Sequence, residues 1–290
     1  MSISRKICAV VPVKETAQAK QRLATLLPAA RRQELALAMF EDVIEVVSSV
    51  RELAGIVVVT VDAGAAAIAA RHNARVMSEG ACEGHTGAVM TAARRLAADG
   101  FDLLTLPGDI PLVEPNDVRH LVCIHCAGAD RGAGAFTIVP ARDELGSNAV
   151  LCSPATAVPL RFGDNSFFPH LDAAKTHGIE PEVVHLPHIG LDIDTPEDLA
   201  LFLQTPSQTR AHALLQRWRI RLDDAELRKP RHEPPPWHTA CLADLNFSIS
   251  LQLAAAQRRR YPAGLNTGMA RLSSTASNAT ATGKPTASFA

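Results

Sequence analysis

Leu103-Leu104-Thr105-Leu106-Pro107-Gly108-Asp109-Ile110-Pro111 is the stretch that decides the fold class of this 290-residue chain. Its short apolar run has the length and composition of a buried strand, and the Pro-Gly-Asp that follows turns the chain. An acid is thereby left at the strand's carboxyl end. Leu191-Asp192-Ile193-Asp194-Thr195-Pro196 repeats the pattern later and also reads as the end of a strand. Open α/β sheets bind their ligands along that edge.

Outward from these two stretches, strands alternate with helices. Residues 7–13, 55–61 and 135–139 are further apolar runs, with shorter strands at 75–77 and 182–186. Residues 28–50 place Leu35, Met39, Val43 and Val46/Val47 at helical spacing behind Pro28, and 63–72 and 85–98 also read as helices. Asn116 or Asp117 should cap a helix running to 127, and Asp164 or Asn165 one running to 177. Thr195-Pro196-Glu197-Asp198 opens another, its acids suited to the positive end of a helix. This alternation predicts an α/β protein whose mostly parallel sheet carries helices on both faces. Residues 141–163 break the rhythm and read as a hairpin-like insertion near the sheet's C-terminal edge. The compact pattern ends near Leu203, giving a domain 1–203 and an extension 204–290. That extension holds a short helix at 212–222, a Pro-rich stretch (Pro230, Pro234, Pro235, Pro236) and an apolar patch at 242–256. From Leu272 a Ser/Thr/Ala/Gly-rich end reads as disordered.

Hydrophobic residues make up 47% of the chain but aromatics only 4%, so Ala, Val and Leu must fill the core. Before Thr205, 17 Lys/Arg face 25 Asp/Glu; from Thr205 onward, 12 face 5. An acidic body argues against nucleic acid, though not against a nucleotide whose charge metals neutralise. No stretch approaches the roughly 20 apolar residues of a membrane span, and no secretory signal is evident, so no membrane partner is expected. Cys8, Cys82, Cys123, Cys126, Cys152 and Cys241 are then expected to be free thiols in a reducing, cytoplasmic setting.

Asp192 and Asp194, two apart on a strand, would point to one side, about 6–7 Å from each other at Cα. Like charges that close repel unless something positive lies between them. Mg²⁺ would serve, since it takes one or two carboxylates together with substrate phosphates. Helix capping is the plainer alternative, but Asp109, in a second Asp-x-Pro turn, favours metal. Lys14, Lys20 and Arg22 follow the first strand and fit a triphosphate, lysine as point charge and arginine as fork. An ordinary basic surface loop would look the same. No Walker A sequence is present, and Gly132-Ala133-Gly134 has Thr137 where a dinucleotide fingerprint needs glycine. Cys123-Ile124-His125-Cys126 lacks the second cluster of a zinc site and reads as buried thiols. His185 and His188 read as packing or surface residues, and no nucleophile elbow appears.

Five motifs in order carry a resemblance: Val11-Pro12-Val13-Lys14 with Lys20-x-Arg22-Leu23; the Asp109 turn; Gly146-Ser147-Asn148; Arg161-Phe162-Gly163-x-x-Ser166; and Asp192-Ile193-Asp194-Thr195-Pro196. Together they resemble the guanylyltransferases that activate a small phospho-acid in coenzyme F-420 biosynthesis. The resemblance implies a Rossmann-like, GT-A-like nucleotidyltransferase fold, GTP as donor, and Mg²⁺ as cofactor with two ions expected. The acceptor it implies is 2-phospho-L-lactate, phosphoenolpyruvate or 3-phospho-D-glycerate; a homodimer is left open. Asp109, Asp192 and Asp194 would be catalytic and hold the metals. Pro12, Val13, Lys14, Lys20, Arg22, Gly84, Thr86 and Pro107 would face the nucleotide, and Ser147, Asn148, Gly163 and Ser166 the phospho-acid. The chain departs from the family at Gly84-His85-Thr86, where Gly-Leu-Asn is common, and in extending past Leu203.

Overall fold

The computed structural model describes residues 5–129, 134–163 and 165–220. Gly132-Ala133, Asp164, Cys241 and the segments read as Pro-rich, apolar and disordered lie outside the described residues. The described elements, in chain order, are β1 (Ile7–Pro12), α1 (Ala29–Ser49), β2 (Gly55–Val59), α2 (Ala63–Arg71), β3 (Arg75–Met77), α3 (Gly84–Ala98), β4 (Asp102–Thr105), α4 (Pro115–Ala129), β5 (Ala135–Pro140), β6 (Ser147–Ser153), α5 (Phe167–Thr176), β7 (Pro181–Val183), α6 (Pro187–Gly190), α7 (Pro196–Gln204) and α8 (Arg210–Arg217).

The strands form one seven-stranded sheet in the order β3-β2-β1-β4-β6-β5-β7. Every neighbouring pair is parallel except the two made by β6. Strand period two splits the core across the sheet. Cys8 and Val10 of β1 face α3 and α5, while Ile7, Ala9 and Val11 face α1, α2 and α4. Helices therefore cover both faces, as the alternation predicted. From β1 the chain winds outward to β2 and β3 on one side and reaches β4 on the other. A crevice opens where the winding reverses, at the carboxyl ends of β1 and β4.

Several sequence-based expectations change. Residues 147–153 are no marginal insertion: β6 is a central strand between β4 and β5, buried along nearly its whole length. Because it runs antiparallel, its first residues, Ser147 and Asn148, lie at the same edge as the carboxyl ends of its neighbours. Residues 191–194 form no strand. They run extended after α6 and are tied in where Ile193 N–H donates to the Asp109 carbonyl (3.0 Å). Helix starts also shift. α4 begins at Pro115, with Asp117 reaching back to accept from Glu114 N–H (2.9 Å), and α5 begins behind Ser166, with Asn165 left-handed at φ 56°.

The packed body also runs past Leu203. Ala211, Leu214 and Leu215 of α8 join Leu35 and Met39 of α1 and Phe202 of α7 in one buried cluster. Both carboxylate oxygens of the buried Asp42 accept backbone N–H groups of the first turn of α8, from Arg210 (2.8 Å) and Ala211 (2.9 Å). A helix start satisfied by an acid from another helix is tertiary structure, invisible to local pattern.

Candidate active site

An open cleft of about 1830 Å³ lies along the sheet's carboxyl edge. Every residue that the resemblance assigns to metal, nucleotide or acid lines it: Pro12, Val13, Lys14, Lys20, Arg22, Gly84, Thr86, Pro107, Asp109, Ser147, Asn148, Gly163, Ser166, Asp192 and Asp194. They come from loops after β1 and β4, from the start of α3, from the antiparallel start of β6, and from the stretches before α5 and α7.

Lys20 organises one wall. Its backbone is left-handed at φ 53°, a conformation costing a non-glycine residue about 1–2 kcal/mol. The side chain is 6% exposed, and Nζ donates to Asp109 Oδ2 (2.5 Å) and Asp194 Oδ1 (2.7 Å). Burial works against the ammonium, but the two carboxylates outweigh it and raise its pKa. Burial likewise pushes Asp194 up, yet Lys20, Arg22 and Lys14 hold its carboxyl below the usual range. Asp192 goes the other way. Burial and the charge of Asp109 carry it up to about 7, against the hydrogen bond from Asn148 Nδ2 (3.0 Å). The other Asn148 amide hydrogen goes to the Ile189 carbonyl (2.9 Å), so this side chain fixes the Asp192 stretch.

Two residues that sequence reasoning missed hold the Lys20 loop. Asp62 caps α2 through Ala65 N–H (2.9 Å) and also accepts from Thr16 N–H (2.9 Å) and Thr16 Oγ1 (2.6 Å). The buried Arg32 donates to the carbonyls of Leu27 (2.9 Å) and Ala19 (3.3 Å). The cap signal of Asp62 was readable; its second partner, 46 residues away, was not.

The opposite wall is built largely on neutral hydrogen bonds, although Arg142, paired with Asp198 (3.1 Å), also lines the cleft. Thr86 Oγ1 donates to the Phe162 carbonyl (3.1 Å) and accepts from Phe162 N–H (2.9 Å). The position expected to meet the nucleotide thus anchors the loop carrying Gly163. Gly163 has φ 135°, which a side chain would strain. Phe162 packs on His85 (centroids 4.5 Å) and His170 (5.1 Å), and Ser147, Ser166 and His170 share hydrogen bonds. Burial pushes the imidazoles of His85 and His170 down to about 4, so both are neutral at ordinary pH.

Asp109 Oδ1 is buried with no hydrogen-bond partner, a costly state unless a ligand completes it. Among the described residues, no three His, Cys, Asp or Glu side chains stand as a ready metal cage. The orphaned Asp109 oxygen, in a set of carboxylate oxygens, has the chemistry of a hard-cation ligand, and such a cation needs only one or two protein carboxylates when it arrives with a polyphosphate. Cys8, Cys82, Cys123 and Cys152 are free thiols, but Cys123, read from sequence as buried, is exposed. His125 is wholly buried between Thr137 Oγ1 (2.9 Å) and Ser153 Oγ (2.7 Å), which gives it a packing role. No helix among the described residues is long and apolar enough to cross a membrane.

The family model of the CofC-like guanylyl transferases matches residues 7–233. A phosphoenolpyruvate guanylyltransferase of Roseiflexus sp. (strain RS-1) is 35% identical over 79% of this chain and 99% of its own length. A 3-phospho-D-glycerate guanylyltransferase of Colwellia psychrerythraea is 34% identical over 66% of this chain and 89% of its own. A 2-phospho-L-lactate guanylyltransferase of Methanothermobacter thermautotrophicus is 28% identical over 74% and 92%. A solved structure from Desulfovibrio desulfuricans G20, described as that of a nucleotide-diphospho-sugar transferase, has the same fold. Its TM-score is 0.59 at 19% identity, covering 77% of this chain and 97% of that one.

Proposed function

The chain belongs to the CofC-like guanylyl transferases, a nucleotidyltransferase family, and from that premise we propose that it transfers GMP from GTP to a three-carbon phospho-acid, releasing pyrophosphate, in coenzyme F-420 biosynthesis. The acceptor is 3-phospho-D-glycerate, phosphoenolpyruvate or 2-phospho-L-lactate, the compounds named for its relatives. One observation carries the reading: a single cleft joins a wall of cations and carboxylates to a wall of hydroxyl and backbone donors.

In this reading an oxygen of the acceptor's phosphate attacks the α-phosphorus of GTP, a phosphorus–oxygen–phosphorus link forms, and pyrophosphate leaves. A phosphomonoester is already ionised near neutral pH, so no general base is needed. The cleft histidine His85, held neutral by burial and packed on Phe162, suits a site without one. Two anions must still meet. Lys14, Arg22 and Lys20 offset the triphosphate, with Lys20 free to reach it once the carboxylates find another cation. Mg²⁺, held by Asp109, Asp192 and Asp194 with two ions as the working number, would stabilise the charge that builds on the leaving pyrophosphate. Asn148, donating to the Asp192 carboxylate, would hold that ligand in place. Gly163 N–H and the Ser147 hydroxyl receive the acid near the start of α5, with Ser166 lining the same wall and donating to Ser147.

The test is pyrophosphate release from GTP and Mg²⁺ with each of the three acceptors in turn. Release with at least one of them, and little with CTP or ATP, is expected. Release only with a sugar phosphate, or with none of the three acceptors, would overturn the assignment.

A further inference from the structure

Ser147 reaches the cleft with its hydrogen bonding already half decided. Behind it on α5 lies His170, 1% exposed. Arg161 N–H donates to His170 Nε2 (2.9 Å), and a backbone N–H can only donate, so Nε2 carries no proton. Burial keeps the ring neutral down to about pH 4, which leaves the single imidazole proton on Nδ1. Nδ1 lies 3.0 Å from Ser147 Oγ, and its proton goes there. Ser166 Oγ also donates to Ser147 Oγ (3.2 Å). A serine oxygen has two acceptor sites and one proton. Both acceptor sites are taken, and no described residue accepts the Ser147 proton.

We propose that His170 is a positioning residue: through Nδ1–H it obliges the Ser147 hydroxyl to act only as a donor, aimed into the cleft at an oxyanion of the acceptor. The proposal rests on the acceptor wall assigned above, and it adds a residue that does not itself touch substrate. The ring cannot turn freely to swap its nitrogens, because Phe162 meets it edge-on at 5.1 Å and Phe136 lies at 6.3 Å. A serine held this way favours a phosphate or carboxylate oxygen and disfavours any group that offers a proton. Ser147 thus favours anions through a neutral donor, which suits an acceptor whose charges must also approach a triphosphate. Preset donors of this kind cost no reorganisation when the ligand arrives.

Two measurements test this. The first needs no substrate: ¹⁵N NMR of the full-length protein near pH 7.5 should show His170 as the Nδ1–H tautomer. The Nε2–H tautomer, or an imidazolium, would overturn the proposal whether or not any acceptor is turned over. The second is kinetic. His170→Phe should raise KM for the acceptor about tenfold, the effect of one hydrogen bond to a charged group, and leave KM for GTP within about twofold. His170→Asn, whose amide can stand in for Nδ1–H, should recover most of that loss. In a Ser147→Ala background, His170→Phe should add nothing further. Equal rises in both KM values, or the full His170 effect persisting without the Ser147 hydroxyl, would show a merely structural role. If His170→Phe does not fold, the asparagine variant and the tautomer still decide. If no acceptor supports turnover while the Nδ1–H tautomer is found, the proposed substrate fails and the preset serine stands.

Discussion

The two walls of the cleft reach order by opposite means. One wall, which we propose faces the nucleotide, is made of charges: Lys20 bridges Asp109 and Asp194, with Arg22 and Lys14 behind it. The other, which we propose faces the acceptor, is mostly neutral groups locked by hydrogen bonds, with Thr86 pinning Phe162 and His170 beside Ser147. A charged wall can exchange its internal cation for an incoming one and so suits a ligand that brings metal. A neutral wall is finished before the ligand arrives and reads shape and acceptor positions. Transfer between two anions needs both kinds.

Breaking the charged wall should cost most. Asp109→Asn keeps the shape but removes a charge, and kcat should fall on the order of 10²-fold or more with the melting temperature little changed. Undiminished turnover in saturating Mg²⁺ would remove Asp109 from the chemistry. Lys20→Met should come next. It leaves two carboxylates facing each other, so KM for GTP should rise roughly tenfold. Stability of the ligand-free protein should fall by about 1–2 kcal/mol, a figure already reduced for the 28% and 43% side-chain exposure of Asp109 and Asp194. Denaturant melts with and without Mg²⁺ would separate the two effects. Gly163→Ala, forced into positive φ, should raise KM for the acceptor several-fold and spare KM for GTP.

The smallest effect sharpens the comparison through pH. His170 titrates near 4 when folded and near 6.5 when unfolded. Its contribution to stability is therefore complete above 6.5 and is lost as pH falls towards 4. Asp192 titrates near 7 when folded and near 3.8 when unfolded, so its contribution is complete below 3.8 and lost as pH rises towards 7. Each group changes the slope by about 1.4 kcal/mol per pH unit within its window. His170→Asn should make the acid-side loss of stability shallower, and Asp192→Asn should make it steeper, as read from urea melts between pH 4.5 and 7. The same sign for both variants would contradict the division.

What the sequence disclosed follows from how local each signal was. The Leu103–Leu106 run with its Pro-Gly-Asp turn is self-contained, and β4 with Asp109 lies where expected. Asp192 and Asp194 reach the cleft as expected, but on an extended stretch rather than a strand, because one bond to Asp109 takes the place of a ladder. The central position of β6 depends on pairing with β4, more than 40 residues earlier, and no short pattern reports that. Lys20 is visible in the sequence as a cation, yet its partners lie 89 and 174 residues away, so a triphosphate is the only mate that local pattern suggests. Neither the anchoring by Thr86 nor the orienting by His170 has a local signal, since that work is done on the backbone and side chains of a distant loop. The cap of α8 at Thr209 is local, but the body's extension through α8 was hidden because its docking depends on Asp42, in the middle of α1, and on a cluster shared with α1 and α7.

The division of the cleft is tested most directly by steady-state KM values for both substrates in two variants, Lys14→Ala and Ser166→Ala. A crossed pattern is predicted: Lys14→Ala raises KM for GTP and leaves that of the acceptor within about twofold, and Ser166→Ala does the reverse. Two variants that weakened the same substrate would contradict the assignment of the charged wall to the nucleotide and the neutral wall to the acid.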